Sequence, residues 1–543
     1  MKKGKIIFII YFLLLYSILS SHAQSAEPSF QQIFNEYIEN SEGPGYAALV
    51  SKGGEVIYES ANGMADLESG IALSKDHIFR IGSITKQFTA AAILLLEEEG
   101  KLSVLDDMKK YIPEYPVEEG KITIEHLLTH TSGIKSYTSM GPAFQEMMRV
   151  DMSPSEIIDV FKNEPLDFQP GEEFRYNNSG YILLGHIIEV VSGTTYEDFI
   201  ESKLFKPLGM NHSYYGHANE IIPNRAKGYQ SNGEGTYENA NYISMTIPYA
   251  AGSLLSTVSD MHKWYTAVMA DRVISPASME KAHTSYKLNN GEVTGYGYGW
   301  GIGDLKGSPT ISHGGGINGF STASTYLPEE DVFVSTFTNC DCQNPGRLNQ
   351  KLAALAIGKP IEKPKTVAVD PEIGKSYLGF YELKPGLILK VAESSGKYFI
   401  KPTGQGETEI LPVSEHEFYV EAIESKVKFN VTEGDQVNSL TLYQGGEHQA
   451  VKMTFEEEID PATLLGYVGT YELDPGQNIV ISIEDGHLFG EAFGDKQQLY
   501  SIGDGHFLDK VEPVKLSFEK EADGSASSVT LFLGGPNKAM KIK

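Results

Sequence analysis

Apolar and polar positions change their spacing several times along the chain, and each change predicts a different element. Between Gly45 and Asp66 the pattern is that of a hairpin: Tyr46-Ala47-Ala48-Leu49-Val50, a turn at Lys52-Gly53-Gly54, then Val56-Ile57-Tyr58. From Thr85 to Glu99 the period lengthens, with Phe88, Ala92, Leu95 and Leu96 on one helical face and Gly100 as the stop. Segments 123–130, 154–163, 179–192 and 258–270 also read as helices. Strand character returns at Tyr296–Ile302, Thr310–His313, Ser321–Leu327 and Val332–Thr338, the last two joined by a turn at 328–331. A helix from Arg347 to Ala356 comes next. Strands at both ends with helices between them predict an α+β domain over residues 28–357. One antiparallel sheet, flanked by helices plus a helical subdomain, would be closed by the two ends of that domain.

After Gly358 the pattern changes again. Prolines and charges over 358–375 read as an extended linker. The remainder of the chain is duplicated: Tyr377-Leu378-Gly379-Phe380-Tyr381-Glu382-Leu383 returns as Tyr467-Val468-Gly469-Thr470-Tyr471-Glu472-Leu473, and Ser439-Leu440-Thr441-Leu442 returns as Ser528-Val529-Thr530-Leu531. Two copies are too few for a solenoid, which needs about three or more. Short alternating strands with frequent glycine turns predict two small antiparallel β-barrels instead, at 376–455 and 466–543.

Charge narrows the partners. A formal net charge of -28 over 543 residues repels nucleic acid and anionic lipid and otherwise serves solubility. At the N-terminus Lys2, Lys3 and Lys5 precede an apolar run from Ile6 to Leu19 and small residues at Ser21-His22-Ala23. That run is shorter than the roughly 20 residues of a membrane span. Residues 1–23 therefore read as a signal peptide of an exported protein, periplasmic or extracellular, with an uncleaved tether as the alternative. Cys340 and Cys342 are the only cysteines. An extended strand would hold them near the upper limit of disulfide reach, so they are expected to be unbridged.

Three motifs carry candidate chemistry. In Ser83-Ile84-Thr85-Lys86 the i, i+3 spacing stacks hydroxyl and amine on one helix face, and an unassisted serine needs such a base. The spacing recurs at Ser132, Ser278, Ser394, Ser425 and Ser517, so what distinguishes Ser83 is its place between the short Phe79-Arg80-Ile81-Gly82 lead-in and an apolar helix. Tyr176-Asn177-Asn178 offers a phenol that could lose its proton beside an ammonium, and an amide, Asn178, that could hold a carbonyl or the lysine. Tyr237-Glu238-Asn239 shares that spacing. His313-Gly314-Gly315-Gly316 comes after an apolar strand, and its glycines would let backbone approach a ligand and complete an oxyanion hole with the N–H of Ser83. His126 and His130 lack the spacing of a metal pair and read as structural.

Taken in this order, the three motifs resemble those of the serine β-lactamases and penicillin-binding proteins, in particular the class C branch with its esterase and D-aminopeptidase relatives. Ile122-Thr123-Ile124-Glu125-His126-Leu127-Leu128-Thr129-His130-Thr131-Ser132-Gly133, and Pro170-Gly171-Glu172 ahead of Tyr176, look like that branch too. The resemblance runs from about Phe30 to Ala356, and it implies that Ser83 is acylated while Lys86 and Tyr176 shuttle its proton. By the same resemblance Asn178 positions substrate, Gly315 and Gly316 line the oxyanion site, and no cofactor or metal is needed. His313 stands where many relatives have lysine, and would orient Tyr176 or meet a substrate carboxylate. A neutral imidazole holds an anionic β-lactam or peptide carboxylate less well, which favours esterase or D-aminopeptidase chemistry over β-lactamase activity, with a D-Ala-D-Ala carboxypeptidase-like activity among the candidates of the class. The resemblance implies a small-molecule or peptide substrate as partner, and one derived from the cell wall fits that reading. The two barrels resemble the lipocalin-like additions of D-aminopeptidases. The reading from another class is a non-catalytic cell-wall or peptide-binding protein.

Overall fold

The computed structural model describes residues 28–543, apart from 39, 117–119, 234–235, 363, 424, 433–435, 445, 457–458, 475–476, 493 and 534. The apolar run and candidate cleavage site lie outside those residues. Two compact units divide the chain after Ile361.

The first unit is built on a six-stranded antiparallel sheet, in the order Gly301–Leu305, Ser308–Ile317, Phe320–Leu327, Val332–Thr338, Tyr46–Lys52, Glu55–Asn62. The strand Tyr46–Lys52 pairs along its length with Val332–Thr338, so the two ends of the domain meet inside one sheet. Alternation explains the layering: Ala47 and Leu49 join the core that holds Phe79, Phe88 and Phe337, whereas Ala48 and Val50 face Leu348 and Leu352 of the helix Pro345–Ala356. The helix Thr85–Glu98 is buried on nearly every side, from Thr85 and Phe88 to Leu94 and Leu96. It is therefore the central element of the unit, more enclosed than one apolar face would require.

Local chemistry shifts several boundaries. The helix expected over 123–130 covers only Ile124–Leu128; Thr123 caps its start and His130, at φ +60°, has left helical space. Strand structure begins at Gly301 rather than Tyr296, and the strand expected to end at His313 continues through the glycines to Ile317. Cys340 and Cys342 form a disulfide, contrary to expectation. The chain bends there instead of remaining extended, which brings the two Cα atoms to 5.1 Å, inside disulfide reach.

The second unit contains two closed eight-stranded antiparallel barrels, from Gly379–Lys384 to Glu447–Lys452 and from Gly469–Asp474 to Pro536–Lys541. First and last strands meet at matching repeat positions, Tyr381 opposite Lys452 and Tyr471 opposite Lys541. Residues 371–375, read from the sequence as the end of the linker, belong to the helix Pro371–Tyr377, and Tyr377 is buried in the barrel core. Asp370 caps this helix and proline occupies its first turn, a helix start that looks like a breaker when only the proline is counted. Asp460 and Pro461 do the same ahead of the second barrel.

Candidate active site

Ser83 lies in a single 3-10 turn, Gly82–Ile84, between the short strand Phe79–Arg80 and the helix Thr85–Glu98. Two glycines let this turn touch the sheet. Gly82 has φ +51°, and a Cβ there would sit 3.0 Å from the Gly316 nitrogen. A Cβ on Gly315 would sit 2.0 Å from the Ile81 carbonyl oxygen, which no side chain tolerates. Thr322 fastens the same carbonyl by donating its hydroxyl to Ile81 O at 3.0 Å. The neighbouring strand Gly301–Leu305 covers 308–312, so the segment from His313 to Ile317 presents an open edge at the turn.

Lys86 is completely buried. Its Nζ lies 3.2 Å from Ser83 Oγ, 2.9 Å from Asn178 Oδ1 and 2.8 Å from the Ala251 carbonyl. None of these partners is charged, and among the described residues Lys86 has no ion pair. Burial without a counter-charge therefore holds its pKa well below the ordinary lysine value. Its donors go to Asn178 Oδ1 and the Ala251 carbonyl, and the unprotonated form of the amine has its lone pair free for the Ser83 hydroxyl.

Asn178 is positioned by the start of the helix Asn178–Ser192, whose cap Asn177 accepts from Gly180 N. The other end of its amide donates to Thr138 Oγ1 at 3.2 Å. His130 wedges under this helix start. It accepts from Asn177 N at 3.0 Å and packs against the rings of Tyr176 at 4.3 Å and Tyr296 at 4.8 Å. Burial, then the nearby Lys86 and His313, depress its pKa, so it serves as a neutral strut.

The Tyr176 ring lies 4.8 Å from Lys86 Nζ. The residue is 40% exposed, yet the protein crowded around it raises its pKa, and its interaction with the Ser83 side chain only partly opposes that rise. The expectation of a phenol deprotonated beside an ammonium is thus corrected. Burial disfavours the charged form of both groups, the ammonium of Lys86 and the phenolate of Tyr176. His313 is also corrected in part. Its Nδ1 donates to Gly314 O at 2.5 Å, and its Nε2 accepts from Tyr296 OH at 2.8 Å. Burial first and Lys86 second push its pKa down to about 4. With both nitrogens engaged and no charge at neutral pH, it is not placed to hold a substrate carboxylate. Its ring centroid lies 6.2 Å from that of Tyr176.

The structure thus brings together Ser83, Lys86, Tyr176, Asn178, His313, Gly315 and Gly316. A cavity of about 140 Å³ opens beside them, lined by Ser83, Thr138, Phe144, Asn178, Ile243 and Gly316 among others. Sequence reasoning missed Thr138, the Ala251 carbonyl and Tyr296. Only Tyr296 carried a signal, standing in the glycine–aromatic run Gly295-Tyr296-Gly297-Tyr298-Gly299.

A hydroxyl on a glycine-shaped turn, a fully buried amine against it and an open strand edge opposite define a serine hydrolase of the acyl-transfer class. Residues 30–359 match the β-lactamase family and residues 454–542 match a domain of unknown function, DUF3471. The chain belongs to the β-lactamase family, whose members include the penicillin-binding proteins. A penicillin-binding protein of Bacillus subtilis strain 168 is 32% identical over 430 residues, covering 74% of this chain and 94% of its own. The octameric penicillin-binding protein homologue of Pyrococcus abyssi superimposes with a TM-score of 0.58 at 28% identity, over 78% of this chain and 99% of its own. A D-stereospecific amidohydrolase of Streptomyces superimposes with a TM-score of 0.53 at 25% identity, over 61% and 98%.

Proposed function

We propose that the protein is exported and hydrolyses an amide or ester through an acyl-enzyme on Ser83, with D-configured peptides or amides as the preferred substrate class. The observation that carries this reading is the buried, unpaired Lys86 amine 3.2 Å from Ser83 Oγ. Lys86 takes the hydroxyl proton as Ser83 Oγ attacks the carbonyl carbon. Backbone N–H groups of Ser83 and Gly316 hold the oxyanion. When the tetrahedral intermediate collapses, the C–N or C–O bond breaks and the leaving group takes up a proton relayed from Lys86 through the Tyr176 hydroxyl. Water then attacks the ester by the same route in reverse, releasing the acid and Ser83. The relative named as D-stereospecific and the similarity to penicillin-binding proteins support the substrate class.

Rates for D-alanine p-nitroanilide, a short-chain p-nitrophenyl ester and nitrocefin, measured side by side, test the proposal. The first two are expected to turn over faster than nitrocefin. The pH–rate profile should rise on an acid limb below the usual lysine range, because the base is needed unprotonated and burial lowers its pKa. Mass spectrometry after fluorophosphonate treatment should find the adduct on Ser83. Turnover that persists in Ser83→Ala, with no adduct in the wild type, would defeat the reading.

A further inference from the structure

A second cavity, of about 230 Å³, lies next to the first and shares Asn318 with it; Arg80, Arg225, Lys227, Asn241 and Phe320 help to line it. Backbone pairing creates this arrangement. Segment 224–226 runs parallel to the strand before the nucleophile, with Ile78 N donating to Asn224 O at 2.9 Å and Ala226 N to Ile78 O at 3.0 Å. Arg225 is thereby set beside Arg80, three residues from Ser83 and so within about 10 Å of it along the chain.

The two guanidiniums are poorly satisfied. Among the described residues Arg80 reaches Asn318 O at 3.5 Å and the face of Phe320 at 5.7 Å, with Tyr242 close enough to act on its charge. Arg225 donates to His217 O at 3.0 Å, and its buried Nε has no partner. Neither forms an ion pair among the described residues. Glu220 influences Arg225 from beyond ion-pair distance, and Lys227 is already paired with Asp66 and Glu68. Burial and then the neighbouring Arg225 pull the Arg80 pKa down to about 10. Two half-buried, mutually repelling arginines in a chain of net charge -28 are a costly arrangement unless an anion joins them. Beside Ser83, His313 has both ring nitrogens engaged and Lys86 Nζ is enclosed by Ser83, Asn178 and Ala251, whereas the two guanidiniums line an open cavity.

We propose that this cavity is a carboxylate subsite, in which Arg80 and Arg225 clamp a carboxylate carried by the substrate several bonds from the scissile carbonyl. The site selects anionic substrates through forked guanidinium hydrogen bonds, in place of the imidazole at 313. The inference rests on the acyl-enzyme reading only for its link to turnover.

Two ester pairs test it: the p-nitrophenyl monoester of adipate against its methyl-capped diester, and 3-carboxyphenyl butyrate against phenyl butyrate. The readout is the charged-to-neutral ratio of kcat/KM within each protein, from which a general folding defect cancels. In the wild type at least one pair should favour the charged member about ten- to hundredfold. Arg225→Gln should collapse that ratio, and Arg225→Lys should restore part of it. Calorimetric titration of Ser83→Ala with adipate and with inorganic phosphate runs in parallel, with and without Arg225→Gln. Arg225-dependent adipate binding without any ester turnover would uphold the subsite and defeat the acyl-enzyme reading. Ratios near one in both wild-type pairs, ratios unchanged by Arg225→Gln, or binding of phosphate alone would overturn the subsite.

Discussion

In the first unit the buried polar side chains converge: Lys86, His130, Asn177 and His313 all belong to one cluster around Ser83. In the barrels they disperse. Tyr381 OH donates to Tyr377 O at 2.6 Å and Tyr471 OH to Tyr467 O at the same distance, each tyrosine closing on its own segment. The barrel interiors are filled by rings, Tyr377 with Phe418 and Phe429 in one, Tyr467 with Phe507 and Phe518 in the other. Eight strands enclose a space that side chains can fill. The contrast teaches where to look for chemistry: buried polar atoms that answer one another beside a cavity are arranged for reaction, whereas hydroxyls tied to the local backbone hold a packing in place.

The comparison breaks most sharply at Lys86. Lys86→Ala should lower kcat/KM for a p-nitrophenyl ester by about 10²- to 10⁴-fold, as expected for loss of a general base, with the barrels' denaturation midpoint unmoved. The mirror experiment is Tyr377→Ala, which should destabilise the first barrel by about 3–5 kcal/mol in denaturant titrations while ester turnover persists. Parallel loss of turnover would show the barrel contributing to the site. Acid should separate the units as well. His126, His283 and His313 are each held at about 4 by burial, against about 6.5 when unfolded. Their stabilisation is complete above pH 6.5 and lost as pH falls toward 4, because the unfolded chain then binds more protons. For His313 alone the loss approaches roughly 3 kcal/mol, so calorimetry should show the first unit's transition falling faster than the barrels'. Gly315→Ala should reduce turnover by about tenfold or more, since its methyl would strike the Ile81 carbonyl and shift the nucleophile's turn.

Ser83 with Lys86 was legible in the sequence because both sit on one short helical repeat, and the sheet strands were legible through their alternation. The duplicated tyrosines announced the barrels. The features that escaped notice depend on long-range assembly. Tyr296 becomes important only when a loop lays it on His313. The lowered pKa of Lys86 comes from burial, and its partners Asn178 and Ala251 stand 92 and 165 residues away in sequence. Arg80 and Arg225 meet through a parallel backbone bridge that no local period encodes. The bend at the disulfide likewise replaces an extended path that local pattern alone would continue.

The main-chain abutment of Gly315 on Ile81 has one more consequence. Because the nucleophile is registered by peptide groups and by Thr322, and not by the apolar side chains of the cavity, residues such as Phe144 and Ile243 can be exchanged without displacing it. Such an anchor separates reactivity from taste, and a lineage built on it can diversify its diet while keeping its engine.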